Sequence, residues 1–177
     1  PSPTFAHAPL ILNADGKKLS KRDGVTSINE FRSMGYTAEA IANYMTLLGW
    51  SVPEGMEERF TLREAADQFS FDRVNKAGAR FDWDKLNWLN AQVLHSWSSA
   101  QLLDVLRPLW LKNGWTIPND NGWALELCEL LGPSLTLLND GLDQAAPFFE
   151  CPALEDDGLK QLQSEGAKAA IGHLIDA

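Results

Sequence analysis

The sequence has little from which to build a metal centre or a disulfide framework. Among its 177 residues are two cysteines, Cys128 and Cys151, and three histidines, His7, His95 and His173. The cysteines form no C-x-x-C pair and lie near no histidine at metal-ligand spacing, and the histidines are too scattered to read as a triad or a ligand cluster. Both cysteines read as buried apolar packing, with a disulfide or metal role as the lesser alternative, and no metal site is assigned. No apolar run reaches the roughly 20 residues of a membrane helix, and no basic-then-apolar leader opens the chain. These absences predict a cytoplasmic protein with no membrane partner. Cations are missing over a long stretch as well. Residues 113 to 159 carry Asp120, Glu126, Glu129, Asp140, Asp143, Glu150, Glu155, Asp156 and Asp157 but no Lys, Arg or His. With a net charge of −9, indiscriminate nucleic-acid binding is disfavoured, and phosphate contacts are expected within residues 1 to 112.

What is present favours helices. Hydrophobic residues make up 45% of the chain, and seven tryptophans and eight phenylalanines supply bulk for helix-on-helix packing. Ser27-Ile28-Asn29-Glu30, Thr61-Leu62-Arg63-Glu64 and Ser98-Ser99-Ala100-Gln101 read as capping boxes. Ile41, Tyr44, Met45 and Leu48 form one apolar stripe after Thr37 that stops at Gly49. Asp82 is placed to cap a helix through Leu86, Leu89 and Val93, and the third box opens one through Leu102, Leu103, Leu106 and Trp110 that ends near Gly114. Leu125 to Leu131, Leu137 to Phe149 and Leu159 to Ile175 lack strand-like alternation. Pro118 to Gly122 reads as a loop, and His95-Ser96-Trp97-Ser98 as a polar break between helices. Near the start, Leu10-Ile11-Leu12 before Asn13-Ala14-Asp15-Gly16 reads as a short strand entering a tight turn. The start at Pro1-Ser2-Pro3 and an end inside a helical pattern, Ala167 to Ala177, read as a piece of a longer gene product.

After that turn comes Lys18-Leu19-Ser20-Lys21-Arg22. Two ammonium groups and a hydroxyl on a mobile loop suit a triphosphate, because the lysines can follow charge as it moves onto departing pyrophosphate. Five letters alone equally describe a basic surface turn. Context supplies the rest. Phe5-x-His7-x-Pro9-Leu10-Ile11, followed by Gly16-Lys17-Lys18-Leu19-Ser20-Lys21-Arg22, resembles the second signature motif of class I aminoacyl-tRNA synthetases in the form used by glutamyl-tRNA synthetases. The resemblance continues through Gly35-Tyr36-x-x-Glu39-Ala40, Asn43-Tyr44-Met45-x-Leu47-Leu48-Gly49-Trp50-Ser51 and Phe81-Asp82-x-x-Lys85-Leu86-x-Trp88-Leu89-Asn90. It covers about residues 3 to 95 and is looser beyond, where it rests on helical texture and the Phe148-Phe149 pair.

This resemblance implies a mainly α chain in three parts. Residues 1–26 would be the end of a class I catalytic region, with a short β-hairpin or loop remnant, residues 27–97 a helical tRNA stem-contact domain, and residues 98–177 a truncated helical anticodon-binding domain. It implies catalytic roles for Lys18, Ser20, Lys21 and Arg22. Lys21 would be the principal ATP phosphate ligand, with Lys18 and Ser20 helping to hold the loop over the nucleotide, and Arg22 would mark the glutamate-specific branch. ATP, with Mg2+ in the full-length enzyme, would activate glutamate, and tRNA-Glu would accept it, possible charging of tRNA-Gln being left open. The His-x-Gly-His-type motif that such an enzyme also needs is absent from this sequence, so the chain alone is expected to form no adenylate.

Arg73, Lys76 and Arg80 fall at i, i+3 and i+7, one face if the segment is helical, with Lys85 shortly after. A solvated face explains the pattern, and the resemblance adds tRNA phosphate contact. Trp83, Trp88 and Trp97 read as core rather than as base-stacking platforms. Leu131-Gly132-Pro133-Ser134-Leu135 ends a helix and, by resemblance, occupies the anticodon-reading loop, making Gly132, Pro133 and Ser134 candidates there. Where strict members use an arginine against the first anticodon base, this segment has none, which implies relaxed tRNA choice. The alternatives are a non-catalytic helical RNA-binding module and a paralogue resembling glutamyl-queuosine tRNA synthetases. That paralogue lacks the long helical extension. A glutaminyl-tRNA synthetase would continue in β-barrels, for which no alternating pattern appears.

Overall fold

The computed structural model describes residues 5, 8–20, 23–24, 27–150 and 156–175. Ten α-helices run through them: α1 (Ile28–Met34), α2 (Ala38–Gly49), α3 (Leu62–Gln68), α4 (Trp83–His95), α5 (Ser99–Lys112), α6 (Asn121–Leu131), α7 (Asp140–Asp143), α8 (Ala146–Phe149), α9 (Asp156–Leu162) and α10 (Glu165–Ile175). Among the described residues no helix is long and apolar enough to cross a membrane. The chain forms two compact units, Pro1–Ala145 and Ala146–Ala177.

All three capping boxes form, at Ser27, Thr61 and Ser98. Each satisfies two backbone donors left open by the first helical turn and contributes on the order of 1 kcal/mol. Thr37 caps α2 and Asp82 caps α4, accepting from Asp84 and Lys85 N–H. The α2 stripe places Ile41, Tyr44 and Leu48 in the core, with Met45 half-buried. Asp120 caps α6, so Asn121 and Gly122 are helical rather than loop.

Within the first unit α2 packs on α4 and α5 on α6. Phe31, Tyr36, Tyr44, Phe81 and Trp83 fill the space beside the α2–α4 crossing, with Phe81 and Trp83 edge to face at 4.9 Å. The Tyr44 hydroxyl accepts from Asp82 N–H at 2.6 Å, and its burial pushes the phenol up to about 12. A second cluster gathers Trp50, Phe60 and Ala65. Trp110, fully buried on α5, donates its indole N–H to Gly141 C=O at 2.9 Å. Cys128 is buried on α6 as a free thiol, and that burial pushes it up to about 11. Cys151 lies outside the described residues.

Asn90 joins three segments. Fully buried on α4, its Oδ1 accepts from Thr37 N–H at 2.8 Å and Thr37 Oγ1 at 3.0 Å, and its Nδ2 donates to Thr136 C=O at 2.6 Å. Gly35 does related work at the end of α1. Its φ of 96° is left-handed, its carbonyl accepts from Leu138 N–H at 2.9 Å, and a Cβ there would lie 2.8 Å from Asn139 N. The second unit holds α8, α9 and α10. Ser164 breaks the last two apart, donating from Oγ to Gln161 C=O and accepting from Ala167 N–H.

Two further sequence expectations change, at Leu10-Ile11-Leu12 and at Trp88. Leu10-Ile11-Leu12 makes no strand: Leu12 forms isolated bridges with Lys18 and Arg80, and no hairpin of paired strands is present among the described residues. Leu137 to Phe149, read as lacking strand alternation, forms two short helices, α7 and α8. Trp88 is 44% exposed while Trp83 and Trp97 are half-buried. Position 88 points away from the Leu86–Leu89 stripe, and its ring faces Lys85 Nζ at 4.4 Å.

Replacing Asn90 by Ala leaves the Thr37 N–H, the Thr37 hydroxyl and the Thr136 carbonyl without their buried partner. The expected loss is about 2–4 kcal/mol, read as a lower urea midpoint with an unchanged slope.

Candidate functional site

The basic loop hangs from two backbone attachments. Leu12 N–H donates to Ala79 C=O at 2.8 Å and Phe81 N–H donates to Leu12 C=O at 2.7 Å, while Leu19 N–H donates to Ile11 C=O at 2.9 Å. Gly78 is required beside this root, since a Cβ there would sit 2.8 Å from Leu10 O. Leu19 is half-buried and packs on the aromatic cluster, whereas Lys17, Lys18 and Ser20 are exposed on the same loop. Lys18 makes no ion pair among the described residues. It stands at the rim of a cavity of about 390 Å3 lined by Leu10, Ile11, Ile28, Phe31 and Met45. An apolar floor with an ammonium at its edge can seat a flat ring beside an anion. Lys21 and Arg22 lie outside the described residues, as does His7.

Ser20 is not a free donor. Its N–H and its Oγ both donate to Asp23 Oδ2 at 2.8 Å, and Asn13 Nδ2 donates to Asp23 Oδ1 at 2.8 Å. Asn13 Oδ1 in turn accepts from Lys17 N–H at 2.9 Å. The hydrogen bonds from Asn13 and then Ser20 hold the Asp23 carboxyl below its ordinary value of 3.8. Asn13 and Asp23 did not stand out in the sequence, yet a signal was there. Ser20-Lys21-Arg22-Asp23 has the Ser-x-x-acid pattern of the box at Ser27.

Arg73, Lys76, Arg80 and Lys85 do not share a helical face. Phe71–Arg73 is one 3-10 turn, after which the chain leaves the helix to make the Val74 bridge with Trp50 and the Arg80 bridge with Leu12. Bridging needs extended backbone, and this tertiary pairing overrides the charge periodicity. Three of the four still approach one hollow. Arg80 and Lys85 line a cavity of about 400 Å3 together with Trp50, Ser51 and Val52, and Arg73 Nη1 donates to Val52 C=O at 3.3 Å. The buried indole N–H of Trp50 has no acceptor within the described residues. Lys85 is ion-paired with Glu58. Arg80 has no carboxylate partner among the described residues, and Lys76 is exposed elsewhere on the segment.

Gly132, Pro133 and Ser134 form a 3-10 turn continuous with α6 rather than an open loop. The turn packs against α4 and α6. Gly132 is buried, while Pro133 and Ser134 are exposed. Ser134 Oγ donates to Leu131 C=O at 2.7 Å, which ties the turn back to the helix it ends.

Residues 1–88 match the family model described as tRNA synthetases class I (E and Q), catalytic domain. A glutamate–tRNA ligase from Synechococcus sp. (strain CC9902) is 99% identical over all 177 residues, which cover 37% of that relative. One from Parasynechococcus marenigrum (strain WH8102) is 77% identical over 99% of the chain and 37% of its own length. In three dimensions the chain is similar to a glutamate tRNA ligase from Elizabethkingia meningosepticum CCUG26117, crystallised in complex with its amino acid. The TM-score is 0.82 at 30% identity, over 99% of this chain and 38% of that one. The glutamate–tRNA synthetase of Elizabethkingia anophelis gives 0.77 at 28% identity, over 99% and 42%.

The Asp23 carboxyl carbon should titrate below 3.8. A depressed folded value means that the order of the loop persists through the ordinary carboxylate range and is lost only as pH falls through that lower value. NMR should show the Asp23 carboxyl and the Ser20 amide titrating together; a Ser20 amide that ignores this titration would contradict the contact.

Proposed function

We propose that this chain, which belongs to the class I glutamate–tRNA ligases and spans about 37% of the length of the relatives it matches, supplies the ATP phosphate loop and the tRNA-binding arm of such an enzyme in the cytoplasm. One observation carries this reading. The loop bearing Lys18 and the segment bearing Arg80 are joined directly, through the Leu12 hydrogen bonds to Ala79 and Phe81. A triphosphate on the loop and an RNA backbone on the segment would therefore be held at a fixed distance, which is what transfer from an activated acid to a tRNA end requires.

In the full-length enzyme glutamate attacks the α-phosphate of ATP, pyrophosphate departs, and a ribose hydroxyl at the 3′ end of tRNA-Glu takes the glutamyl group. Lys21 is the principal phosphate ligand, Lys18 neutralises charge at the cavity rim, Ser20 helps shape the loop and Arg22 marks the glutamate branch. Mg2+ would neutralise charge on the triphosphate, and the Asp23 carboxylate beside the loop, engaged by Ser20 and Asn13, is not assigned to it. Residues 1–26 close the catalytic region, 27–97 contact the tRNA stem and 98–177 face the anticodon, with Pro133 and Ser134 exposed towards solvent there. The lack of any cation between residues 113 and 159 supports acceptance of tRNA-Gln alongside tRNA-Glu. Charging assays with the two tRNAs test this, and a strong preference for one ends it.

The chain alone is expected to give no ATP–pyrophosphate exchange with glutamate and tRNA supplied, because it holds no His-x-Gly-His-type motif. Measured exchange would refute the division of labour. For RNA, the double variant Arg73→Ala, Arg80→Ala should weaken tRNA binding at low salt and reduce the salt slope by roughly one to two. Lys85→Ala should cost less, since Lys85 is already neutralised by Glu58. Unchanged affinity and slope in the double variant would remove the basic hollow from the tRNA interface.

A further inference from the structure

Three hydrogen bonds of 2.8 Å converge on the Asp23 carboxylate, one from Asn13 and two from Ser20. The ring is closed by the Asp23 N–H, which donates to Ser20 C=O at 2.9 Å, and by Asn13 Oδ1, which accepts from Lys17 N–H at 2.9 Å. The two ends of the basic loop are thereby pinned to a single side chain. A serine hydroxyl has one proton to donate, and the residue adds one N–H. Both of these donors end on the same carboxylate oxygen of Asp23. A phosphate oxygen could take either only by breaking a charge-assisted bond and then standing against a carboxylate.

We propose that Ser20 and Asp23 act as one unit, positioning residues that brace the phosphate loop, and that Ser20 serves ATP through Asp23 rather than by touching a phosphate. This rests on reading the loop as ATP-binding. The brace leaves the ammonium of Lys18 exposed at the cavity rim and removes loop disorder that would otherwise have to be lost when nucleotide binds. Asn13 belongs to the same device, since it links Asp23 to the backbone of Lys17.

A double-mutant cycle in a full-length ligase carrying this segment tests the coupling. Ser20→Ala and Asp23→Ala should each raise the KM for ATP by roughly 5- to 50-fold with a much smaller change in kcat, and the double variant should be no worse than the worse single one. Asp23→Asn, which keeps an acceptor for Ser20 but turns its amide towards Asn13, should fall between wild type and Asp23→Ala. Additive effects would overturn the proposal, as would a Ser20→Ala change that lowers kcat in an Asp23→Ala background, because Ser20 would then contact the phosphate directly. A second measurement needs no nucleotide. In the 177-residue chain, Asp23→Ala should speed amide exchange at Lys17 and Ser20 by about tenfold or more, and unchanged exchange would remove the brace. A wild-type ligase without ATP-dependent charging would defeat the reading beneath it, and the amide exchange would still decide the brace.

Discussion

The first unit depends on one buried amide. Asn90 lies where α2 and α4 cross, and its side chain satisfies the N-terminus of α2 on one side and the carbonyl of Thr136 on the other. Without it, the capping threonine of α2 and the chain leaving the 3-10 turn would each carry an unpaired polar group into an apolar interior. With it, the helices that carry Tyr44 and Leu89 and the segment leading to α7 hold one register. Apolar packing alone would tolerate small slides between α2 and α4. A directional hydrogen-bond set does not, and everything mounted on those helices inherits the precision.

The site is mounted there. Tyr44 on α2 accepts from Asp82 at the start of α4, which positions Phe81, whose N–H in turn holds Leu12 and the root of the basic loop. From a buried helix pair to an exposed lysine the path is therefore short, and each link is a hydrogen bond between backbone and a packed residue. Local contacts finish the loop itself, with Asn13 and Asp23 gathering its ends. The result is a basic loop with a hydrogen-bonded root, whose Lys17 and Lys18 face solvent, next to a second set of cations on the segment that supports it.

Helices were largely legible in the residues because their signals are local. A serine or threonine followed three positions later by a carboxylate or amide closes on itself whatever surrounds it, and Ser27, Thr61 and Ser98 did so. Segments whose conformation is imposed from a distance were not legible. Arg73, Lys76 and Arg80 have helical spacing, but Val74 and Arg80 are drawn into bridges with Trp50 and Leu12, residues far away in the chain. Leu10 to Leu12 has the composition of a strand but meets only single bridging partners. Trp88 resembles a core residue until the phase of α4 is set by Leu86 and Leu89, which turns it outward over Lys85.

By itself the sequence determined that the chain is helical, where most helices begin, that most of its cations lie in the first part, and which family its motifs resemble. These follow from short-range backbone chemistry and from composition. Tertiary structure alone decided that Asn90 joins Thr37 to Thr136, that Lys85 is paired with Glu58, and that Arg80 stands beside the root of the loop. Each is a choice among partners that a side chain could reach equally well in an unfolded chain, and only packing fixes which one lies within hydrogen-bonding distance. The basic loop and its Ser20–Asp23 brace are thus written in the local sequence, but the root from which the loop hangs is a property of the fold.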